Sequence, residues 1–269
     1  MSSTVLPWWL PLSVFVWAVQ MVFYHGTGYA FEHWDQTGKL RRFKVRDVDR
    51  KTYRQLLPRV LANQVFILLP AMVAVQVLGL CFVGSDHLTV LYVIAILVVM
   101  GIGHDVVQYA THRYLLHQPR FTKLLKHSIH HSTRASKGIS ACYMSGADFF
   151  LEIVLPYLLP LALLGGGGSN VWFQTAIAGL GAIGGVYEHS GYDFSVLLPK
   201  SAIAARMPRV ITAVAGFITS HAHGEHHMKG NVSFSDGFGS PGVCDKVFGT
   251  GWDQVEARNR AAAAATPAE

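Results

Sequence analysis

Long uncharged stretches alternate with short basic ones along this chain. Residues 4–24 (TVLPWWLPLSVFVWAVQMVFY), 60–83 (VLANQVFILLPAMVAVQVLGLCFV) and 88–111 are dominated by apolar side chains, the third opening with LTVLYVIAILVVMGIG. A helix that crosses the hydrocarbon core of a bilayer needs about 20 mostly apolar residues, and each stretch is long enough. The first has no basic region before it and no small-residue cleavage site after it, so it does not read as a signal peptide. Two shorter apolar stretches, 149–165 and 171–188, flank GGGGSN. They predict a hairpin, transmembrane or re-entrant, whose ends return to one side. The interval 195–220 is apolar but broken by Pro199, Pro208 and several cations. It reads as a segment lying along the bilayer surface, with a buried linker as the alternative. The alanine-rich end, 253–269, is expected to be disordered, or at most a frayed helix end.

Composition agrees with this pattern. Of 269 residues, 51% are hydrophobic and 14% charged, against roughly 25% charged in ordinary soluble domains. Mean hydropathy is positive. These values exclude a disordered chain and a collagen-like repeat. The 3 cysteines are odd in number and widely spaced, offering neither a disulfide framework nor a CxxC metal site.

The placement of charge then orients the chain. All 22 Lys and Arg fall within 39–59, 113–137 and 200–260, and the GSDH link at 84–87 and the GGGGSN link hold none. A path with the N-terminus outside and every basic stretch inside puts all cations on one face, which the positive-inside rule makes cytoplasmic. The formal net charge of +6 is thereby explained by topology and contact with anionic lipids. Juxtamembrane cations without a recognition motif argue against nucleic acid as a partner. The expected location is a multi-pass protein of the bacterial inner membrane or endoplasmic reticulum.

Of 14 histidines, most are grouped at the cytoplasmic ends of the predicted helices. His112 and His117 lie in THRYLLH, His127, His130 and His131 in KHSIHH, His189 in YEHSGYD, and His223, His226 and His227 in HAHGEHH. Residues at i, i+3 and i+4 share a helix face, so each HxxHH forms one imidazole patch. Two such patches are poor core material, because a buried imidazole needs partners for both nitrogens. Imidazole is a common ligand of Zn, Cu, Fe and Ni. One ion cannot take so many ligands, so two metal ions are implied, each with four or five nitrogens. His25, His33 and His87 read as loop or interface residues, and His221 as local polar filler. His104 is ambiguous, with a role beside the ligands or at the membrane edge.

Asp105, Tyr109 and His112 form one stripe along the third predicted helix. Asp105 is placed to tune or orient His112, or is a helix-face acid at the membrane edge. Asp105 and Tyr109 are the candidate catalytic residues, and Tyr109 and Tyr192 could position a ligand or simply pack. A structural zinc site is closed and four-coordinate and would not need four separate chain segments. Two metals at the inner ends of membrane helices suit activation of O2 for attack on an unactivated C–H bond of a lipid. Zinc cannot change oxidation state, so iron is the reasoned choice. Two other classes stay open: a non-redox membrane di-zinc hydrolase and a metal carrier. Carriers place ligands near the bilayer midplane, whereas these sit at helix ends.

In this order between hydrophobic hairpins, DVVQYATHRYLLH, KHSIHH, EHSGYD and HGEHH resemble the fatty-acid hydroxylase/sterol desaturase family of membrane di-iron enzymes. CDKVFGT at 244–250 resembles that family's closing WDxxFGT. EHSGYD is closer to C-4 sterol methyl oxidases and cholesterol 25-hydroxylase than to acyl-chain 2-hydroxylases. The resemblance implies an all-α fold: an integral membrane bundle of four to five helices in hairpins with a cytosolic, histidine-rich di-metal cap. It divides the chain into N-terminal membrane helices with a basic loop (1–99), a catalytic domain (100–252) and the tail. It implies two iron ions held by the nine histidines of these motifs, O2 as co-substrate and a lipid-like substrate. Electrons would come from a separate donor, a ferredoxin or a b-type cytochrome with its reductase, since no His-Pro-Gly-Gly motif is present. Asp193 falls where some members have a further ligand histidine and would be a ligand or a neighbouring acid. The chain departs from the sterol-oxidising members at 145–148, where SGAD replaces His-Pro-x-Glu. It also departs at Cys244, which replaces the closing Trp, and in the longer Gly/Ser/Asp-rich stretch from Asn231 to Asp245.

Overall fold

A computed structural model describes residues 6–49, 51–235 and 240–265. Residues 4 and 5 of the first predicted span, Arg50, residues 236–239 of the Gly-rich stretch and the last four of the tail lie outside the described residues. The chain is helical: α1 (Leu12–Thr37), α2 (Tyr53–Val77), α3 (Val90–Leu116), α4 (Pro119–Leu125), α5 (Ser128–His131), α6 (Gly146–Leu164), α7 (Val171–His189), α8 (Pro208–Ile218), α9 (His221–Lys229), α10 (Val243–Phe248) and α11 (Trp252–Ala265). No strand forms among the described residues; Lys44 and Tyr192 make an isolated antiparallel bridge.

Local sequence marks where the long helices start. Thr52 and Gln55 cap α2 reciprocally, each side chain bonding the other's backbone amide. Thr89 accepts from the Tyr92 amide at the head of α3, and Asn170 from the Phe173 amide at the head of α7. Such caps satisfy amides that lack an intrahelical partner.

Among the described residues, three helices, α2, α3 and α6, are long and apolar enough to cross a membrane by length and composition. The first apolar stretch departs from the prediction for a local reason. Pro7 and Pro11 delay helix formation until Leu12, and the helix then runs past residue 24 through HGTGYAFEHWDQT. The apolar stretch and the helix are thus out of step. α3 has the surface of a helix in hydrocarbon: Val90, Leu91, Ile94 and Val98 are all more than half exposed, which water would not tolerate over so large a patch.

The long helices run between two chemically different ends. At one end the α2–α3 and α6–α7 links meet: the Ser169 amide donates to the Ser85 carbonyl (3.0 Å), Ser169 Oγ to Gly84 (2.8 Å) and Asn170 Nδ2 to Asp86 (2.6 Å). Gly168 adopts a positive φ of 51° there, and a Cβ would collide with the Ser85 carbonyl. At the other end lie the end of α3, the start of α6, the end of α7, and α5 and α9.

Two peripheral segments complete the chain. The interval 195–220 forms short turns and then α8, which buries none of its residues and exposes Val210, Val214 and Phe217 at helical spacing. The tail expected to be disordered is helical as far as Ala265. Alanine is the strongest helix former, and the Trp252 amide is anchored to Ser233 Oγ at 3.0 Å.

Candidate metal centre

The histidine-bearing end brings nine imidazoles into two groups. His112, His117, His127, His131 and His226 form the first, and His130, His189, His223 and His227 the second, with the ligand atoms of each group within 4.8 Å of one another. Each HxxHH is divided between the groups. Neighbours on an α-helix point about 100° apart. Thus His130 and His131 on α5, and His226 and His227 on α9, turn to opposite groups. The two patches expected from the i, i+3, i+4 rule are therefore not the two sites.

His112 and His117 reach one group through a local widening of α3. Five α-helical steps would set them about 140° apart. The turn His112–Leu116 is instead a π-helix, and the His117 amide bonds the His112 carbonyl at 2.9 Å. The wider turn brings residues five apart onto one face. A second π turn, Phe150–Val154 in α6, carries Glu152.

The outer ring nitrogens define the chemistry of the inner ones. His112 Nδ1 donates to the Phe234 carbonyl (2.8 Å), His226 Nδ1 to Val232 (2.7 Å) and His189 Nδ1 to Gly185 (2.9 Å), while His127 Nδ1 bonds Asp148 Oδ1 (2.9 Å). A neutral imidazole that spends its proton at Nδ1 keeps a bare lone pair at Nε2. The Nε2 atoms of all nine rings converge, with neighbouring pairs 3.0–3.2 Å apart in the first group and 2.9–3.2 Å in the second. His112 and His127 thus face each other with no proton between them. Lone pairs so placed repel unless a cation lies among them. Nitrogens about 2.1 Å from one ion and at right angles would be about 3 Å apart, so the donor sets fit metal ions.

Burial keeps the donors neutral. His127, His223, His226 and His227 lie well below the ordinary imidazole range, first because they are removed from water and then because other imidazoles surround them. Burial also pushes His131 down to about 3 and His117 down to about 4. At neutral pH these rings are unprotonated, the state in which imidazole binds metal.

Two acids that sequence reading passed over stand beside the groups. Asp148 is fully buried and holds His127; Glu152 Oε1 lies 3.4 Å from His130 Nε2 and 3.9 Å from His112 Nε2, adjoining both groups. Oε2 of Glu152 and Oδ2 of Asp148 are buried, and the two side chains interact with each other, a costly arrangement for a pair of carboxylates unless a proton or a cation lies with them. The available signal was an acid pair four residues apart at the head of an apolar helix, where ionisable groups are functional candidates. Phe234 was also passed over: its ring lies 5.4–6.0 Å from the rings of His112, His117 and His226.

The other candidates lie outside both groups. Asp105 does not touch His112. Its carboxylate accepts from the Val243 and Cys244 amides (both 2.9 Å) and from Ser240 Oγ (3.1 Å), closing the N-terminus of α10. α10 carries Asp245, which accepts from the Phe234 and Ser235 amides (3.0 and 2.7 Å) and so fixes the carbonyl that holds His112. Any influence of Asp105 on His112 is therefore indirect. The Tyr109 hydroxyl meets Thr250 and Arg113, and its ring stacks on Phe248. Asp193 belongs to neither group: it accepts from Tyr187, Thr219 and the Ser195 amide. Tyr192 packs against Phe31 and Trp34. His221 stacks edge-on against Trp252.

No curated protein and no solved structure matches the chain. The sequence model of the fatty acid hydroxylase family matches residues 97–250, from the middle of α3 through the closing FGT, and takes in every histidine of both groups. That match covers more than half of the chain: the protein belongs to the fatty acid hydroxylase family.

Proposed function

We propose that this protein is a membrane oxygenase that hydroxylates or desaturates a lipid-like substrate, using two iron ions, O2 and electrons from a separate protein donor. The observation that carries this reading is the convergence of nine imidazoles, Nε2 toward Nε2, in two adjacent groups at one end of apolar helices. His112, His117, His127, His131 and His226 would hold one ion, and His130, His189, His223 and His227 the other. Such a pair supplies the redox capacity to activate O2 against a C–H bond. The chain's own residues do the positioning. Carbonyls of Phe234, Val232 and Gly185 fix ring orientation and tautomer, Asp148 does so for His127, and the Phe234 ring walls the first group.

An apolar cavity of about 500 Å³ lies beside this end, lined by Phe31 and Trp34 of α1, Ile183 and Tyr187 of α7, and Phe194. It offers a water-poor recess to a hydrocarbon chain or ring system. The cationic loops set the proposed orientation, with the centre on the cytoplasmic side.

Oxygen consumption by the purified, iron-loaded protein tests the reading. Uptake should require both a lipid substrate and an added electron donor. Product formed under strict anaerobiosis, or full activity with zinc at full occupancy, would replace it with hydrolase chemistry.

A further inference from the structure

The segment joining α1 to α2 lies outside the region matched by the family, yet it is laced into the metal centre. The Val45 and Arg46 amides donate to the Gly191 carbonyl (2.7 and 3.1 Å), and the Asp193 amide donates to Phe43 (2.8 Å). The Asp49 amide donates to Ser136 Oγ (2.8 Å). Two cations of this segment, which the charge pattern assigns to contact with anionic lipid, are turned into the protein, Lys44 with its side chain buried and Arg46 half-buried. Lys44 pairs with Asp35 (2.6 Å) and donates to the carbonyls of Ser136 (3.0 Å) and Ser190 (2.9 Å). The Arg46 guanidinium donates to the carbonyls of Ala135 (3.4 Å) and Ser220 (3.2 Å).

Those carbonyls belong to the three stretches that carry His127–His131, His189 and His223–His227. All four ligands of the second group come from these stretches. The first group draws in addition on His112 and His117 of α3, which is anchored through Phe234 and α10. Arg46 also has a fitted seat. It lies against Gly224 of α9, where any Cβ would occupy the place of the guanidinium. Glu188, Asp193 and Glu225 surround it with opposite charge. Burying a guanidinium is expensive, and here its donors go to main-chain carbonyls that flank ligands.

We propose that Arg46 is a positioning residue for the second histidine group: seated on Gly224, its fork braces the stretch after His130 against the stretch before His223. The second ion is then held only with the brace in place, while the first is held without it. This rests on the two-ion reading above.

The test counts ions per chain in the full-length protein, in detergent or nanodiscs, after loading with iron. Wild type should hold about two, and Arg46→Ala about one with helical content unchanged. Gly224→Ala leaves Arg46 in the chain and favours the helix, but evicts the guanidinium; it should show the same loss, and it decides the matter if Arg46→Ala does not fold. Arg46→Lys keeps the charge without the fork and should behave like Arg46→Ala. Adding Gly224→Ala to Arg46→Ala should cost nothing further. Adding His117→Ala to Arg46→Ala should remove the remaining ion. Two ions retained in Arg46→Ala, Gly224→Ala or Arg46→Lys, loss of both ions together in folded protein, or a further loss in the Arg46/Gly224 double variant overturns the brace. A wild type that binds no ions overturns the two-ion reading, and the brace with it.

Discussion

The two histidine groups use the same donor atom at nearly the same spacing and share α5 and α9, but each also draws on a part of the chain that the other does not. The first hangs on the π turn of α3 and on a C-terminal relay from α10 through Asp245 to Phe234, and two of its rings, His117 and His131, are only half-buried. The second is buried at all four rings, its stretches are tied to the α1–α2 segment, and His189 bonds the Gly185 carbonyl of α7. Equal ligands thus sit in unequal frames. What sets each group apart is which backbone segments hold it and how far water can approach.

The largest effect should come from removing a ligand from one group. His130→Ala is expected to empty the second group and His112→Ala the first, each abolishing turnover as the proposed two-ion reading requires. Metal analysis with oxygen-uptake assays checks this, and full metal occupancy in both variants would refute the ligand assignment. A smaller, one-sided effect is expected from Asp148→Ala. The one ring this carboxylate bonds is His127 of the first group, and loss of such a partner typically weakens metal binding about 10- to 100-fold. Competition with a graded chelator should show that weakening in the first group alone; equal weakening of both would dissolve the distinction drawn here.

Acidification should give the gentlest effect. His117 and His131 stand at about 4 and about 3 in the folded chain, against roughly 6.5 for a free imidazole. Below that free value the unfolded chain takes up protons that the folded chain refuses. Their contribution to stability is therefore whole above about pH 6.5 and falls progressively toward pH 4 and below. Thermal melts of metal-free protein from pH 7.5 to 4 should follow this direction. A melting temperature that rises on acidification would contradict the burial assigned to these rings.

Much of the site was legible because histidine spacing carries chemistry even without coordinates. The nine rings singled out by their motifs are the nine that converge. Their division was not legible, since a shared face on one helix says nothing about which side each neighbour turns to once that helix is wedged between two groups. Asp105 illustrates the same limit: four-and-three spacing placed it on the stripe of His112, but the arrival of α10 claimed its carboxylate. Asp148 and Glu152 were obscured by the apolar run in which they are embedded. Lys44 and Arg46 were obscured because the charge pattern assigned every juxtamembrane cation to the lipid boundary.

Sequence alone determined that the chain is helical and rich in membrane-length apolar segments, and that imidazoles dominate its chemistry, because hydrophobic run length and ligand type are local properties. Tertiary structure alone decided the partition of five and four rings, the acids that stand beside them and the half-buried guanidinium of Arg46 seated against Gly224. Those features depend on which distant backbone segments meet, and no local pattern encodes such a meeting.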